Sequence, residues 1–393
     1  MKTWRTGKLG ELVAFKTGKL DSNAAVPYGE YPFFTCSQET LRTNTFSFDT
    51  ECVLLAGNNA NGIYPLKYFH GKFDAYQRTY VVKPRDTEVL TTKFLYYALR
   101  PKLSELRSFS TGAATKFLTL TILNETEIQV PPLPVQQRIA GILSAYDELM
   151  ENSQRRIRLL EAMARALYRE WFVHFRFPSH EKSSSPAGRG GCEGRARLVT
   201  SPLGHIPQGW EVKKLGDLAD ISWGDTSTTN ASYVEEGYAA YSASGSDGKL
   251  DHYDFDRTGI VLTAIGAQCG KTWLARCKWS CIKNTIRFWS QDERASTEFL
   301  FIATEGQDFW PRRGAAQPFI SQGDAERINV LTPDRAMMKR FTTFAAASLE
   351  RIATLQTQIQ NLRRTRDLLL PRLLSGQVEL PVRTNTKTRA QTL

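Results

Sequence analysis

The sequence repeats itself over most of its length. Trp4-x4-Leu-Gly-Glu-Leu returns 206 residues later as Trp210-x4-Leu-Gly-Asp-Leu, and Gly18 returns at the same offset as Gly224. Three further segments recur in the same order: CVLLAGNNANG (52–62) as IVLTAIGAQCG (260–270), TKFLYYAL (92–99) as TEFLFIAT (297–304), and GAATKFL (112–118) as GAAQPFI (314–320). Solenoid repeats are only about 20–50 residues long, so this is a duplicated domain. Two similar but diverged modules indicate one task performed on two related targets.

The composition favours a packed protein with an acidic partner. A length of 393 residues indicates two to three domains, and a hydrophobic fraction of 41% is ample for cores. The net charge of +11 favours nucleic acid as the partner, with a membrane surface next. No apolar run approaches the roughly 18 residues of a membrane span, and the N-terminus MKTWR has no apolar signal core. We therefore expect a cytoplasmic protein.

The texture of the chain changes along its length. Residues 1–133 alternate Val-, Phe- and Tyr-bearing runs with turn residues, which predicts a strand-rich domain of mixed α+β type. Residues 207–332 repeat this plan. Residues 178–206 lie between the first helical stretch and the second domain. They are rich in Ser, Gly and Pro, which predicts a linker. The basic tail at 377–393 predicts disorder.

Two long helices are predicted, over 134–177 and 333–376, and Thr332 and Pro333 suit the start of the second. A helix of about forty residues is about 60 Å long, which exceeds a domain of about 130 residues, so pairing of the two helices is favoured over each lying on its own domain. The apolar heptad positions, which predict a coiled coil that binds partners, are Leu143, Met150, Ile157, Leu160, Leu167, Ile352, Leu355, Ile359, Leu362 and Leu369.

Polar residues interrupt these heptads at Ser153, Ser348 and Arg366. Polar residues in a coiled-coil core usually fix the register at some cost in stability. The alternative is that the heptads fade locally and these side chains face water.

No motif for chemistry stands out. Gly266-Ala-Gln-Cys-Gly-Lys271-Thr resembles a phosphate-binding loop, but Ile265 stands where the first glycine is required and a strand-like segment follows in place of a helix. The six cysteines contain no Cys-x2-Cys pair, so no metal site is predicted. Nucleophile elbows, paired carboxylates and methyltransferase signatures were not found. We expect a non-catalytic chain.

Polar loop clusters occur at matched places in the two repeats. In the first they are Ser37, Gln38, Asn58, Asn59, Asn61, Tyr76, Gln77, Arg78, Thr115 and Lys116; in the second they are Ser244, Ser246, Gln268, Lys271, Lys283, Asn284, Arg312, Arg313 and Gln317. Asn and Gln can read adenine, and Arg and Lys can read guanine. Any one of these residues could be a plain turn residue. As a set in a basic chain, they predict DNA contacts.

Several segments together resemble the DNA specificity subunit of type I restriction-modification systems. PPLPVQQRIAGILSAYDELMENSQRRIRLLE and ALYREWFVHFRFP are similar to the start and end of the family's first conserved region. GHIPQGWEVKKLGDL resembles the entry to its second recognition domain, and LLLPRLLSGQVEL the end of its second conserved region. LTPDRAMMKRF departs from the usual Pro-x2-Glu-Gln-x2-Ile-like start.

The resemblance implies two target recognition domains separated by two long antiparallel helices. Each domain would read one half of a bipartite, asymmetric site in double-stranded DNA. The helices would act as a spacer and as the docking surface for two methyltransferase (modification) subunits, and a translocating restriction subunit could join them. S-adenosylmethionine would be bound by the methyltransferase subunit, with no cofactor in this chain.

Two alternatives come from other functional classes. One is a standalone DNA methyltransferase or nuclease, which would act without partners. The other is a coiled-coil scaffold that uses its basic surface on RNA or a membrane.

Overall fold

A computed structural model describes residues 4–59, 63–110, 116–178, 198–314, 316–378 and 380, apart from the side chains of Asn59 and Lys116. The chain divides into two compact units. Unit 1 comprises 1–153 and 357–393, and unit 2 comprises 154–356. Each unit therefore contains one repeat together with part of each long helix.

Unit 1 is built from a mixed domain followed by the start of a long helix. Its elements are β1 (Arg5–Lys8), α1 (Leu9–Leu12), β2 (Val13–Thr17), β3 (Tyr31–Phe34), β4 (Leu41–Thr43), β5 (Phe48–Ala56), β6 (Asn58–Asn59), β7 (Leu66–Ala75), β8 (Thr79–Pro84), α2 (Thr92–Leu99), α3 (Lys102–Phe109), β9 (Lys116–Phe117), α4 (Leu120–Glu125), β10 (Glu127–Val130) and α5 (Leu133–Tyr168). A six-stranded sheet has the order β2-β8-β5-β7-β3-β4, with β3 parallel to β7 and the other neighbours antiparallel.

Strand β5 is apolar on both faces because both faces of the sheet are covered. Val53 and Leu55 pack into one cluster with Phe94 of α2, while Cys52 and Leu54 pack into a second cluster on the other face. A strand buried on two sides reads as a continuous hydrophobic run rather than an alternating one. This explains the continuous apolar run CVLLA in β5.

Unit 2 repeats this plan with a divided sheet. Its elements are β11 (Leu198–Ser201), β12 (Gly204–Pro207), β13 (Glu211–Lys214), α6 (Leu215–Leu218), β14 (Ala219–Trp223), β15 (Tyr238–Ser242), β16 (Gly245–Leu250), β17 (Phe255–Asp256), β18 (Gly259–Thr263), β19 (Thr272–Ala275), β20 (Lys278–Cys281), β21 (Thr285–Ser290), α7 (Thr297–Ala303), α8 (Gln322–Glu326), β22 (Asn329–Thr332) and α9 (Arg335–Leu374). Two four-stranded sheets have the orders β14-β21-β18-β19 and β16-β15-β20-β17.

The end of the predicted linker is structured. Strands β11 and β12 form a hairpin within 198–207, and its turn is closed by the Ser201 hydroxyl, which accepts from the Leu203 amide and donates to the Gly204 carbonyl. The prediction of an irregular linker over 178–206 is therefore wrong for its last nine residues, 198–206. Residues 179–197 of that linker, and 379 and 381–393 of the predicted tail, lie outside the described residues.

Helices α5 and α9 run antiparallel to each other. In unit 1 Asp147 of α5 bonds to Arg366 of α9, and in unit 2 Phe172, in the π-helical turn after α5, packs against Phe341 of α9. Of the ten predicted heptad residues, five are buried (Leu143, Ile157, Ile352, Leu355 and Ile359) and five are half-buried (Met150, Leu160, Leu167, Leu362 and Leu369).

The polar heptad residues also lie in the interior. Ser348 and Arg366 are buried and Ser153 is half-buried, so the alternative that they face water is wrong for the first two. Helix α9 begins two residues later than predicted, because the Asp334 carboxylate accepts from the Met337 amide and so caps the helix. Thr332 ends β22 instead, and its hydroxyl donates to the Glu211 carbonyl.

Within the described part of the chain, no helix is long and apolar enough to cross a membrane.

Candidate nucleic-acid interface

The four predicted loop clusters of unit 1 meet at one place. The Cys36 thiol donates to the Asn58 side-chain oxygen at 2.9 Å and to the Arg78 carbonyl at 3.4 Å. Strand β6 pairs with β9, which sets Asn58 opposite Phe117, and the Arg78 guanidinium lies over the Phe117 ring at 5.5 Å. Segments that are up to 81 residues apart in sequence, from Cys36 to Phe117, therefore share one surface.

This surface is polar and accessible. Ser37, Gln38, Gln77 and Arg78 are exposed, while Asn58 and Tyr76 are half-buried. The hydrogen bond from the Cys36 thiol to the Asn58 side-chain oxygen fixes the orientation of the Asn58 amide. Asn61 and Thr115 lie outside the described residues, as do the side chains of Asn59 and Lys116.

Lys67 holds the loop that contains Ser37 and Gln38. Its ammonium donates to the carbonyls of Ser37 and Glu39 and to the Thr40 hydroxyl, at 2.9–3.2 Å. Burial lowers the pKa of Lys67, and the charge of Glu39 opposes that shift. Lys67 therefore positions the Ser37–Gln38 turn.

A repeated glycine lets the loops approach closely. A side chain at Gly18 would meet the Ala75 carbonyl oxygen at 1.7 Å, and one at Gly224 would meet the Ile282 carbonyl oxygen at 2.6 Å. Behind Gly18, the Gln77 amide bonds to the Leu20 carbonyl and so holds the turn that presents Gln77 and Arg78. Both copies thus need glycine for the same packing reason.

Unit 2 brings its clusters together in a similar way. The Ala264 amide donates to the Asn284 carbonyl, and the Ile320 amide donates to the Ala264 carbonyl. Three further hydrogen bonds bring the neighbouring loops to this junction. The Thr263 hydroxyl donates to the Ala243 carbonyl, the Gly270 amide donates to the Thr263 carbonyl, and the Gly266 amide donates to the Pro318 carbonyl. The loops that adjoin the junction are those of Ser244, Gln268, Lys283 and Gln317. Asn284 adopts a left-handed conformation, with φ of 70°, at the turn itself.

The predicted side chains of unit 2 lie in different local surroundings. The Lys271 ammonium lies over the Trp273 ring, 4.2 Å from its centre. Ser244, Lys283 and Asn284 belong to turns, while Ser246 lies within β16, opposite Tyr241 of β15. Gln317 is exposed.

The two predicted arginines of unit 2 have partners inside the unit. Arg313 pairs with the buried carboxylate of Asp324, and Arg312 pairs with Asp308 at 2.9 Å. Burial alone would raise the pKa of Asp324, but hydrogen bonds from Ser321 and Arg327 and the charge of Arg313 lower it. Arg313 thus shares a buried carboxylate with Arg327, and its contact with DNA stays a prediction.

The phosphate-loop-like segment does not lead into a helix. The turn after Gly266 is followed by strand β19, as the sequence predicted, so no helix N-terminus is available for phosphate. Among the described residues, no group of three or more His, Cys, Asp or Glu side chains converges into a metal site.

Some apolar side chains on the long helices point outward. Leu149 is 54% exposed and Leu368 57% in unit 1, and Leu159 is 61% exposed and Met163 44% in unit 2. None of these four is among the predicted heptad residues, which pack inward. The exposed residues were missed because the heptad pattern selects the seam between α5 and α9 rather than the outer face.

Comparison with known proteins decides the family. The model of the type I restriction modification DNA specificity domain matches residues 1–162 and again 207–361. The chain belongs to this specificity family. The two matched ranges contain the two repeats, and each extends into one of the long helices.

Relatives in this family have similar lengths. The chain is 28% identical over 360 residues to the type I restriction enzyme EcoDI specificity subunit of Escherichia coli, covering 84% of this chain and 78% of that protein. It is 24% identical to the MjaIX specificity subunit of Methanocaldococcus jannaschii, covering 76% and 71%. The crystal structure of an S subunit from M. genitalium has the same fold, with a TM-score of 0.66 at 18% identity, covering 94% of this chain and 96% of that one.

Several residues of the candidate interface in this specificity protein were not found from sequence. They are Cys36, Lys67, Phe117, Thr272 and Trp273. Phe117 had a usable signal, because it recurs as Phe319 in the repeated GAA segment and both rings are partly exposed.

Proposed function

We propose that the polar loop surfaces of units 1 and 2 each contact one half of a bipartite, asymmetric site in duplex DNA. One observation carries this proposal: the two units assemble equivalent loops around equivalent strands, yet place different side chains there. Unit 1 presents Asn58 and Arg78, and unit 2 presents Gln268 and Lys271. Two domains with the same loop arrangement but different polar side chains suit two half-sites of different sequence.

The charge of the chain supports this choice of partner. The net charge of +11 gives long-range attraction to the phosphate backbone, which supplies affinity without sequence preference. Sequence preference must then come from the uncharged and cationic side chains at the loop surfaces. A subunit that reads chromosomal DNA would act in the cytoplasm, as predicted from the sequence.

We also propose that α5 and α9 dock two methyltransferase subunits. Burial of exposed apolar side chains against a partner would stabilise the complex. The outward apolar residues that suit such a contact are Leu149, Leu159, Met163 and Leu368. The methyltransferase subunits would bind S-adenosylmethionine and transfer the methyl group. A restriction subunit could join the same complex.

The experiment that tests the proposal measures binding and methylation separately. The full-length chain is incubated with a library of random duplexes, and bound sequences are determined. A bipartite preference supports the proposal; binding without preference, or tighter binding to RNA or anionic vesicles, contradicts it.

The same protein is then incubated with labelled S-adenosylmethionine and DNA, with and without the methyltransferase subunit. We expect methylation only with the subunit. Methyl transfer by the chain alone would instead favour the standalone enzyme.

A further inference from the structure

A cavity of about 560 Å³ lies beside the loop surface of unit 2. One wall is the turn between β18 and β19, with Ala267, Gln268, Lys271 and Thr272, and the other is the turn after α7, with Glu305 to Gln307. Gly266 and Gly306 both adopt positive φ in these turns, 110° and 102°. The cavity therefore opens between two turns whose backbone conformations favour glycine.

Two buried polar atoms at this cavity have no hydrogen-bond partner among the residues that the structure describes. They are the side-chain oxygen of Gln268 and the hydroxyl oxygen of Thr272, a residue only 8% exposed. A buried polar group without a partner destabilises the fold, and most such groups in native proteins are paired. Two of them on one wall indicate that a ligand supplies the missing partner. Both atoms can accept a hydrogen bond.

The charged residues of the cavity are already engaged. Both Glu305 carboxylate oxygens accept from the Arg165 guanidinium of α5, each at 2.7 Å. The Lys271 ammonium lies over the Trp273 ring. The two buried atoms that lack a partner, on Gln268 and Thr272, can both accept a hydrogen bond, so the matching group of a ligand is a hydrogen-bond donor.

Resting on the proposed DNA-reading function, we infer that this cavity receives the edge of one base pair and that Gln268 and Thr272 select adenine there. In the major groove, only adenine and cytosine present an exocyclic amino group. Adenine adds an acceptor, N7, beside that amino group, and the Gln268 amide can accept from the amino group while donating to N7. The paired thymine presents its O4 acceptor beside that amino group, and the Thr272 hydroxyl can donate to it. Thr272 is the specificity residue that this assignment adds.

The test replaces Thr272 by valine, which keeps the shape of the side chain and removes the hydroxyl. The full-length chain is bound to a duplex library with each half of the site randomised in turn. We expect Thr272→Val to reduce discrimination for adenine at one position of the half read by unit 2. A good bidentate base contact gives roughly 5- to 150-fold discrimination, so the loss falls in or below that range. Gln268→Ala should affect the same position more strongly.

Stability separates this role from a structural one. Removing an unpartnered buried hydroxyl relieves a destabilising group, so Thr272→Val should melt at or above the wild-type temperature while it loses discrimination. Thr354→Val on α9, whose hydroxyl donates to the Glu350 carbonyl, is the matched control and should leave all preferences unchanged.

Three results would overturn the inference. Unchanged preferences in Thr272→Val and Gln268→Ala would show that the cavity reads no base. Selection of guanine, thymine or cytosine at the affected position would remove the adenine assignment. Uniformly weaker binding to every sequence would indicate a phosphate contact. Failure of the proposed function looks different, because the wild-type chain itself would then show no bipartite preference.

Discussion

The Arg366 guanidinium of α9 donates a hydrogen bond of 2.5 Å to one carboxylate oxygen of Asp147 on α5 in unit 1. The other oxygen accepts from the Tyr97 hydroxyl of α2 at 2.7 Å. One carboxylate therefore joins the mixed domain to both long helices.

Unit 2 has an apolar version of this junction. Counted from the first residue of each helix, Asp147 of α5 corresponds to Leu349 of α9, and Tyr97 of α2 corresponds to Ile302 of α7. Leu349 and Ile302 are both buried. A polar core contact that has no equivalent in the other repeat distinguishes two otherwise similar pairing surfaces. The polar junction of unit 1 thus favours one pairing of the duplicated helices.

We predict that Arg366→Ala destabilises the chain. Arg366 is only 7% exposed, and its loss leaves the Asp147 carboxylate partly buried without its closest partner. Breaking a fully buried pair costs about 3–5 kcal/mol, and because the Asp147 side chain is 28% exposed we expect about 2–3 kcal/mol here. The measurement is the midpoint of urea unfolding followed by circular dichroism.

Two further variants make this prediction specific. Arg363→Ala, exposed on α9, should change stability by no more than about 0.5 kcal/mol. Asp147→Leu combined with Arg366→Ala removes both charges of the pair, but it also takes the carboxylate away from Tyr97 and Arg100, so it should recover only part of the loss. A single Arg366→Ala variant that unfolds with wild-type stability would contradict the role of this pair.

We predict that neighbouring leucines of α5 have different roles. Leu159 is 61% exposed and Leu160 is half-buried, so Leu159→Asp should weaken assembly with the methyltransferase subunit without lowering the melting temperature. Leu160→Asp, like Ile359→Asp in the buried seam, should lower the melting temperature first, because it buries a charge without a partner. Size-exclusion chromatography with the partner and a thermal melt measure the two effects. Normal assembly of Leu159→Asp would place docking elsewhere.

Periodic features were the part of this fold that the sequence could predict. The repeat located both mixed domains, and the heptads located buried residues such as Leu143 and Ile352, because a seam between two helices imposes a regular spacing. The sequence predicts Thr332 as the N-cap of α9, but Thr332 pairs with Glu211 in a β-ladder, and Asp334 caps the helix instead.

Contacts between distant segments could not be predicted. Nothing in the local sequence indicates that Arg313 lies beside the buried Asp324. Cys36 seemed an ordinary thiol until the fold set it against Asn58, which is 22 residues away. The polar clusters of unit 1 lie together because the pairing of β6 with β9 and the hydrogen bonds of Cys36 join their loops.

We predict a loss of stability in acid that depends on Asp292. Hydrogen bonds from Arg294 lower the pKa of Asp292 from its usual 3.8 to about 2. A carboxylate with a lowered folded-state pKa contributes stability above its unfolded pKa, and the contribution disappears as the pH falls from about 4 to about 2. Urea unfolding between pH 5 and pH 2.5 should show a smaller decline for Asp292→Asn than for the wild type. Equal slopes would contradict this assignment.

The last prediction concerns the independence of the two loop surfaces. Asn58→Ala combined with Arg78→Ala should relax base preference only in the half-site read by unit 1, since both side chains belong to its loop surface. Gln268→Ala combined with Lys271→Ala should act only on the other half. Each lost base contact should cost about 1–3 kcal/mol. Loss of a lysine that touches only phosphate would instead weaken binding to all sequences alike and lower the salt dependence of binding.

The control is Gln129→Ala, at an exposed position on β10. Binding to duplexes with each half randomised in turn gives the answer. If either double variant altered preference in both halves, or in neither, these loops would not be the base-reading elements, although the duplicated architecture would stand.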